Sequence, residues 1–263
     1  MNESFYFNDC KEGSLINITR DNNYVYLHVM KDSTINKIPI SIRNYNIIVK
    51  ENLSLAKYFL LHMRRIKTLT HFTSIENLDS ILEYGILSKK LLIDNGLKFT
   101  ESDPYRFDNL PTHISTSVSF PNYRMFYSKR MSLLKRYVVL EIKSSQILRN
   151  SNPLFFETDA ANSYYQNTNQ DLSSIESFNQ MFKQKVITGE RYPFLPDNYP
   201  TDPQAEIMLK DKIDISSIRS IHYDVDELSQ NVDMINSLAR NVNIDCVQSH
   251  RYFNYREDFN QWR

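Results

Sequence analysis

Thr68-Leu-Thr-His-Phe-Thr-Ser-Ile-Glu-Asn-Leu-Asp-Ser-Ile-Leu-Glu-Tyr-Gly85 is the stretch on which the fold of this chain turns. Thr68 to Phe72 reads as a short strand of β-branched and aromatic residues. Thr73-Ser-Ile-Glu76 has the Thr-x-x-Glu spacing of a capping box. Ile75, Leu78, Ile81 and Leu82 then recur at helical spacing, and Gly85 falls where a left-handed helix cap belongs. A strand end that runs into a helix N-terminus offers backbone N–H groups to an anionic or amide ligand. Taken alone, Thr73 is a helix N-cap and His71 a packed histidine, and neither needs a ligand to explain it.

Working outward, a polar loop over 94–111 leads to a strand, Thr112-His-Ile-Ser-Thr-Ser117. A helix over 122–134 starts soon after Pro121, and Arg136-Tyr-Val-Val-Leu-Glu-Ile142 alternates as a half-buried strand. Residues 144–203 read as mostly irregular with one helix near 173–184, and so long an irregular stretch in a compact domain is usually functional. Strands follow at Gln204 to Leu209, 218–224 and 243–247, with a helix near 226–240. Upstream, Asn23 to Met30 and Ile38 to Ile42 read as a β meander, and 53–65 as a helix. Strands and helices mix without regular β-α alternation, so the class is α+β. The expected division is a β-rich extension with one helix over 1–66 and a main domain over 67–263.

Composition narrows the chemistry. The 31 Lys and Arg balance the 31 Asp and Glu, so a nucleic-acid partner would have to be met by a local cluster of cations. With glycine only at 13, 85, 96 and 189, neither a dinucleotide fingerprint nor a P-loop can be written. Six dispersed histidines and two distant cysteines, Cys10 and Cys246, make no metal site. The cysteine usage points to a reducing compartment. No apolar run approaches the ~20 residues of a membrane helix, and the N-terminus lacks a signal peptide's pattern. The expected location is the cytoplasm, away from membranes.

Glu206 stands at the mouth of a strand after Arg191-Tyr-Pro-Phe-Leu-Pro-Asp-Asn-Tyr-Pro200, whose three prolines and three aromatics stiffen a loop and present stacking faces. A glutamate at a strand edge is ordinarily solvated; one that closes a rigid loop is placed to hold a substrate beside a reacting group. Asp202, four residues before it, leaves a paired-carboxylate hydrolase open. Arg124, near Lys129, Arg130, Lys135 and Arg136, belongs either to a solvated helix face or to a phosphate-facing site. Ser115 and Ser117 sit in no nucleophile-elbow context.

His71-Phe-Thr73, Asn77-Leu-Asp-Ser-Ile-Leu-Glu-Tyr-Gly-Ile-Leu-Ser88, Ser115 to Tyr127 and Pro200 to Ile207, in that order, resemble the DarT family of nucleic-acid ADP-ribosyltransferase toxins. Asp159-Ala-Ala-Asn162 and Tyr252-Phe-Asn-Tyr-Arg256 are weaker echoes of it, and the resemblance covers roughly residues 68–255. It implies an ADP-ribosyltransferase fold, split antiparallel β-sheets around a cleft for NAD as co-substrate. It implies Glu206 as catalytic glutamate and Arg124 in the role of the family's arginine. Contacts to NAD fall on His71, Phe72, Thr73, Asn77, Ser88, Ser117 and Tyr123. Residues 190–205 become the substrate loop, with Arg191, Tyr192 and Tyr199 touching the target and Phe194 among its stacking rings. Thymidine-modifying members carry an arginine soon after the proline equivalent to Pro121, where this chain has Asn122, so the target base stays open. The implied substrate is single-stranded DNA, with RNA second, and the implied partner an antitoxin or other regulatory protein in a toxin–antitoxin or phage-defence system. Two other readings stand beside it: transfer to protein, and an inactive fold kept as a nucleotide-binding or interaction module.

Overall fold

A computed structural model of the chain describes residues 14–20, 23–31, 34–41, 61, 64–101, 108–133, 136–166 and 168–262. The chain divides into two units, Met1–Met63 and Arg64–Arg263. Within the first, β1 (Ser14–Arg20), β2 (Tyr24–Lys31) and β3 (Thr34–Ser41) form an antiparallel meander. Pairing of β2 with β3 runs unbroken from Tyr24↔Ser41 to Lys31↔Thr34. Tyr24 and Tyr26, two apart on one strand, share a face with ring centroids 6.1 Å apart. The helix expected over 53–65 lies, apart from residues 61, 64 and 65, outside the described residues, as does Cys10.

The second unit is built on β4 (Thr68–Ser74), β5 (Ile86–Leu87), β6 (His113–Val118), β7 (Tyr137–Lys143) and β8 (Leu154–Phe156). It continues with β9 (Lys185–Val186), β10 (Gly189–Glu190), β11 (Glu206–Lys210), β12 (Lys212–Ile213), β13 (Ile218–Tyr223) and β14 (Asp245–Gln248). Seven of these form one sheet in the order β14-β13-β7-β4-β6-β11-β8, antiparallel except for β13 beside β14. Its halves are held very unequally. β4 pairs with β7 along its whole length, from Thr68↔Lys143 to Ser74↔Tyr137. It pairs with β6 only at Leu69↔Val118 and Thr70↔Ser117, after which the two strands part. The sheet is therefore split, with β14-β13-β7-β4 on one side of the seam and β6-β11-β8 on the other.

The expected capping box does not form. Thr73 and Ser74 remain in β4 because the ladder to β7 already satisfies their backbone, and Ile75 N–H donates to Arg136 O at 2.9 Å. A 3-10 turn, Ile75–Asn77, then leads into α1 (Leu78–Tyr84). Gly85 ends α1 with φ +84° and ψ 179°, an extended mirror-image conformation in place of a left-handed cap. A Cβ there would stand 2.5 Å from Ile213 O, because Ile86 pairs with Ile213 immediately afterwards. A helix not expected from the sequence, α2 (Lys89–Asp94), follows, capped by Ser88 Oγ accepting from Leu91 N–H at 3.4 Å.

α3 (Tyr123–Leu133) packs Tyr123 and Phe126 into an aromatic core with Phe120, Tyr137, Tyr199, Tyr252 and Phe253. Within the stretch expected to be mostly irregular lie β8, the β9–β10 hairpin and, inside the 173–184 span expected to be helical, α4 (Ile175–Gln180). Phe178 and Met181 there are fully buried. The helix expected near 226–240 is broken into a turn at Val225–Leu228, a 3-10 turn at Ser229–Asn231 and α5 (Val232–Asn241). Among the described residues no helix is long and apolar enough to cross a membrane.

Candidate active site

The seam of the sheet opens into a cavity of about 210 Å³, walled by β4, the 3-10 turn and α1 on one side and by β6 and the start of β11 on the other. Glu206 is the first residue of β11, paired with Phe156 of β8, and only 5 % of it is exposed. Its two carboxylate oxygens are held separately. Ser115 Oγ–H donates to Oε1 at 2.7 Å, and Ala160 N–H donates to Oε2 at 3.1 Å. Burial, and then the neighbouring Asp159 carboxylate, push the Glu206 carboxyl from 4.5 up to about 8, against the pull of its two hydrogen bonds. Asp159 also lines the cavity, and its Oδ1 accepts from Ala161 N–H at 2.8 Å.

His71 crosses the seam. Its Nδ1 lies 2.9 Å from Ser115 O, and a carbonyl only accepts, so Nδ1 carries a proton. Phe72 stacks on Phe126 of α3 with centroids 4.9 Å apart while it lines the cavity. Asn77 uses its whole amide. Nδ2 donates to Thr73 Oγ1 at 3.0 Å and to Thr100 O at 2.9 Å, and Oδ1 accepts from Thr100 N–H at 2.7 Å. That holds the Phe99–Glu101 wall in place. Lys89, the one Lys or Arg in the wall among the described residues, is paired with Glu101 at 2.7 Å. Ser117 Oγ accepts from Asn122 N–H at 3.1 Å, and Asn122 Oδ1 accepts from Met125 N–H at 3.1 Å to cap α3. Asn122 is buried in the wall, and its Nδ2 has no partner among the described atoms.

Of the residues singled out in the sequence, the fold brings Glu206, His71, Phe72, Thr73, Asn77, Ser88 and Ser117 to this one cavity. Arg124 and Tyr123 do not reach it, for a reason of helix phase. Asn122 and Met125 take the cavity face of α3, which turns Tyr123 toward the core and Arg124 to solvent. Arg124 Nη1 donates to Gln204 Oε1 at 3.0 Å. Tyr123 packs edge-on against Tyr255 and Phe259, and burial among them raises its hydroxyl to about 12.

The substrate-loop residues are also outside the cavity wall. Arg191 braces the loop itself, donating to Tyr199 O at 2.9 Å, Pro196 O at 2.8 Å, and Leu195 O and Thr201 Oγ1 at 3.3 Å. Tyr199 is a core residue whose hydroxyl accepts from Arg251 Nη2 at 2.8 Å. Tyr192 is half-buried, edge-on to Phe194, which is 79 % exposed. Asp202 is buried, accepting from Gln204 N–H at 2.7 Å and from Thr188 Oγ, so the carboxylate beside Glu206 is Asp159 instead. Ser115, Asp159 and Ala160 were not foreseen as site residues. The signal for Ser115 was available, since period-two alternation puts His113, Ser115 and Ser117 on one face of β6, and all three line the cavity.

The site is thus a split sheet with one buried carboxylate at its seam and a polar cleft beside it. The sequence pattern of the DarT family, described as ssDNA thymidine ADP-ribosyltransferase, matches residues 70–253, and the chain belongs to that family. Among solved structures, Thermus sp. 2.9 DarT in complex with ADP-ribosylated ssDNA shares the fold with a TM-score of 0.50 and 12 % identity, over 72 % of this chain and 96 % of that one. Thermus sp. 2.9 DarT in complex with carba-NAD+ gives 0.49 and 15 %, over 71 % and 98 %. Thermosipho africanus DarTG in complex with ADP-ribose gives 0.45 and 16 %, over 71 % of this chain and 51 % of that one, so the chain spans about half of that protein's length. No curated protein sequence matches the chain.

Proposed function

We propose that the chain transfers ADP-ribose from NAD to a base of single-stranded DNA, with Glu206 as the catalytic carboxylate. The observation that carries this reading is the Glu206 cradle: a buried carboxyl at the seam, fixed by the Ser115 hydroxyl and the Ala160 amide. The wall fits NAD in chemical kind. Phe72 supplies an apolar ring, and the polar side chains of His71, Thr73, Ser88 and Ser117 stand beside it. Transfer breaks the bond between ribose C1 and the nicotinamide nitrogen, the electron pair leaving with nicotinamide, and joins C1 to a ring nitrogen of the base. Glu206, once ionised, stabilises the cationic character that develops at C1 and accepts the proton that the base nitrogen loses. A carboxyl with a pKa raised to about 8 is well matched to holding that proton near neutral pH.

Single-stranded DNA is favoured because a base atom in a duplex must first be unstacked, and because the family description names ssDNA thymidine. Thymidine is therefore the first target to test, with Asn122 in the wall as this chain's own departure. A base that carries ADP-ribose on a pairing nitrogen cannot template, so we assign the chain the role of a cytoplasmic toxin, in growth arrest or phage defence, restrained by an antitoxin or other regulator. Residues 1–66 are proposed as a separate domain that contacts this regulator. Neutralisation that persists after their deletion would sink that assignment.

The test of the activity is incubation with labelled NAD and separate ssDNA, RNA and protein pools, wild type beside Glu206→Ala. Label on ssDNA that the variant loses is the expected result. Label on RNA or protein alone would replace the substrate assignment. No label from a folded protein would overturn the reading.

A further inference from the structure

The activity leaves unexplained an exposed aromatic surface on the far side of α3 from the cavity. Arg124, Tyr127 and Met131 form one outward stripe of the helix, at i, i+3 and i+7. Tyr127 is 43 % exposed and Met131 59 %. Tyr127 does not stand alone. Its ring lies 5.3 Å from Tyr255, itself 44 % exposed, and Tyr255 stacks on Phe259 at 3.9 Å and 23°. Tyr123, buried beneath, supports both from below at 6.0 and 6.1 Å. The tail that presents Tyr255 is fixed by a buried ion pair. Arg256 donates to Asp258 from Nε at 2.7 Å and from Nη2 at 2.5 Å, Trp262 Nε1–H donates to Asp258 at 2.8 Å, and Arg256 Nη2 donates to Thr201 O at 3.0 Å.

This surface joins the active site in two ways. Arg124 is bonded to Gln204, two residues ahead of Glu206. Asn122 and Met125, from the same first turn of α3, line the cavity. A helix with its side chains is about 10–12 Å across, so the platform and the cavity lie a nucleotide or two apart along a strand that crosses the helix. Fixed aromatic rings interleaved with a cation are how sequence-tolerant single-strand sites are built, rings taking bases and cations taking phosphates.

We propose that Tyr127 and Tyr255 form a stacking platform for the base two nucleotides from the target in single-stranded DNA, beyond the reach of a dinucleotide, with Arg124 on a phosphate between them. The platform rests on the proposed DNA-modifying activity and adds to it a path for the strand. Steady-state transfer is measured on a long oligodeoxythymidylate and on a thymidine dinucleotide, for wild type, Tyr127→Ala, Tyr255→Ala and Tyr127→Phe. Removal of one base–aromatic stack is expected to raise KM for the long strand about tenfold. The effect should leave kcat at saturation and KM for NAD in place, spare the dinucleotide, and be rescued by Tyr127→Phe. Long-strand KM values equal to wild type in both alanine variants, or an equal rise for the dinucleotide, would overturn the platform while the activity stands. A wild-type protein that hydrolyses NAD yet labels neither oligonucleotide would overturn the DNA-modifying reading itself, and the platform with it.

Discussion

Glu206→Gln should abolish transfer and yet make the protein more stable, increasingly so as pH rises. The substitution keeps the shape of the side chain and an oxygen to accept from Ser115 or Ala160, and removes the proton. In the folded protein the Glu206 carboxyl titrates near 8, against 4.5 in the unfolded chain. The native state therefore holds a proton that the unfolded state sheds. Its contribution is complete below pH 4.5 and is lost as pH climbs to about 8. For one such group the loss between pH 5 and pH 8 is roughly 3–4 kcal/mol. In a domain of this size each kcal/mol is ~2–4 °C of Tm, so the variant should gain about 10 °C on wild type across that interval. Thermal unfolding of both proteins in matched buffers from pH 5 to pH 8.5 measures this directly. Tm curves that run parallel over the whole range would refute a buried carboxyl held neutral by its surroundings.

The hydrogen bond from Ser115 favours the charged carboxylate, so Ser115→Ala should move the rising limb of kcat/KM to higher pH and lower the rate at pH 7 about tenfold, read from a pH–rate profile. Asp159→Asn removes a like charge and should move the same limb to lower pH; a limb that stays put in both variants would mean that Glu206 is not the titrating group. Gly85→Ala forces a Cβ to 2.5 Å from Ile213 O at positive φ and should cost ~1–3 kcal/mol, seen as a lowered Tm. Asp258→Ala strands the buried Arg256 guanidinium and should destabilise by ~3–5 kcal/mol, with the double replacement of Arg256 and Asp258 by apolar residues recovering much of it in denaturant melts.

Much of the scaffold was legible because it is written in short-range patterns. β4, β6, β7, α3 and β11 each carry their period over several residues, and their ends fell within a residue or two of those observed. The failures have specific causes. Thr-Ser-Ile-Glu is locally a capping box, but the tertiary ladder to β7 keeps Thr73 and Ser74 extended. The strands β5, β9, β10 and β12 are two residues long, too short for any period to show. In the candidate site, residues near the strand-to-helix stretch were found because they are close in sequence. The Glu206 cradle draws on β6, the loop after β8 and the first residue of β11, a juxtaposition only the sheet order makes. Arg124 was read onto the site because a helix phase cannot be fixed to one residue from a pattern. One residue's rotation separates the cavity wall from solvent.

The Arg256–Thr201 bond has a consequence in time as well as in space. A chain is made and begins to fold from its N-terminus, so β6, β11 and Glu206 are complete before the residues that pin the loop ahead of them. Until Arg256 and Asp258 have emerged, Thr201 O lacks its donor and Tyr255 its support. A chain stalled on the ribosome before Arg256 is expected to bind NAD and to leave DNA unmodified; efficient labelling by such a chain would contradict this. For an enzyme proposed to poison the cell that makes it, that order of assembly is a delay built into the polypeptide.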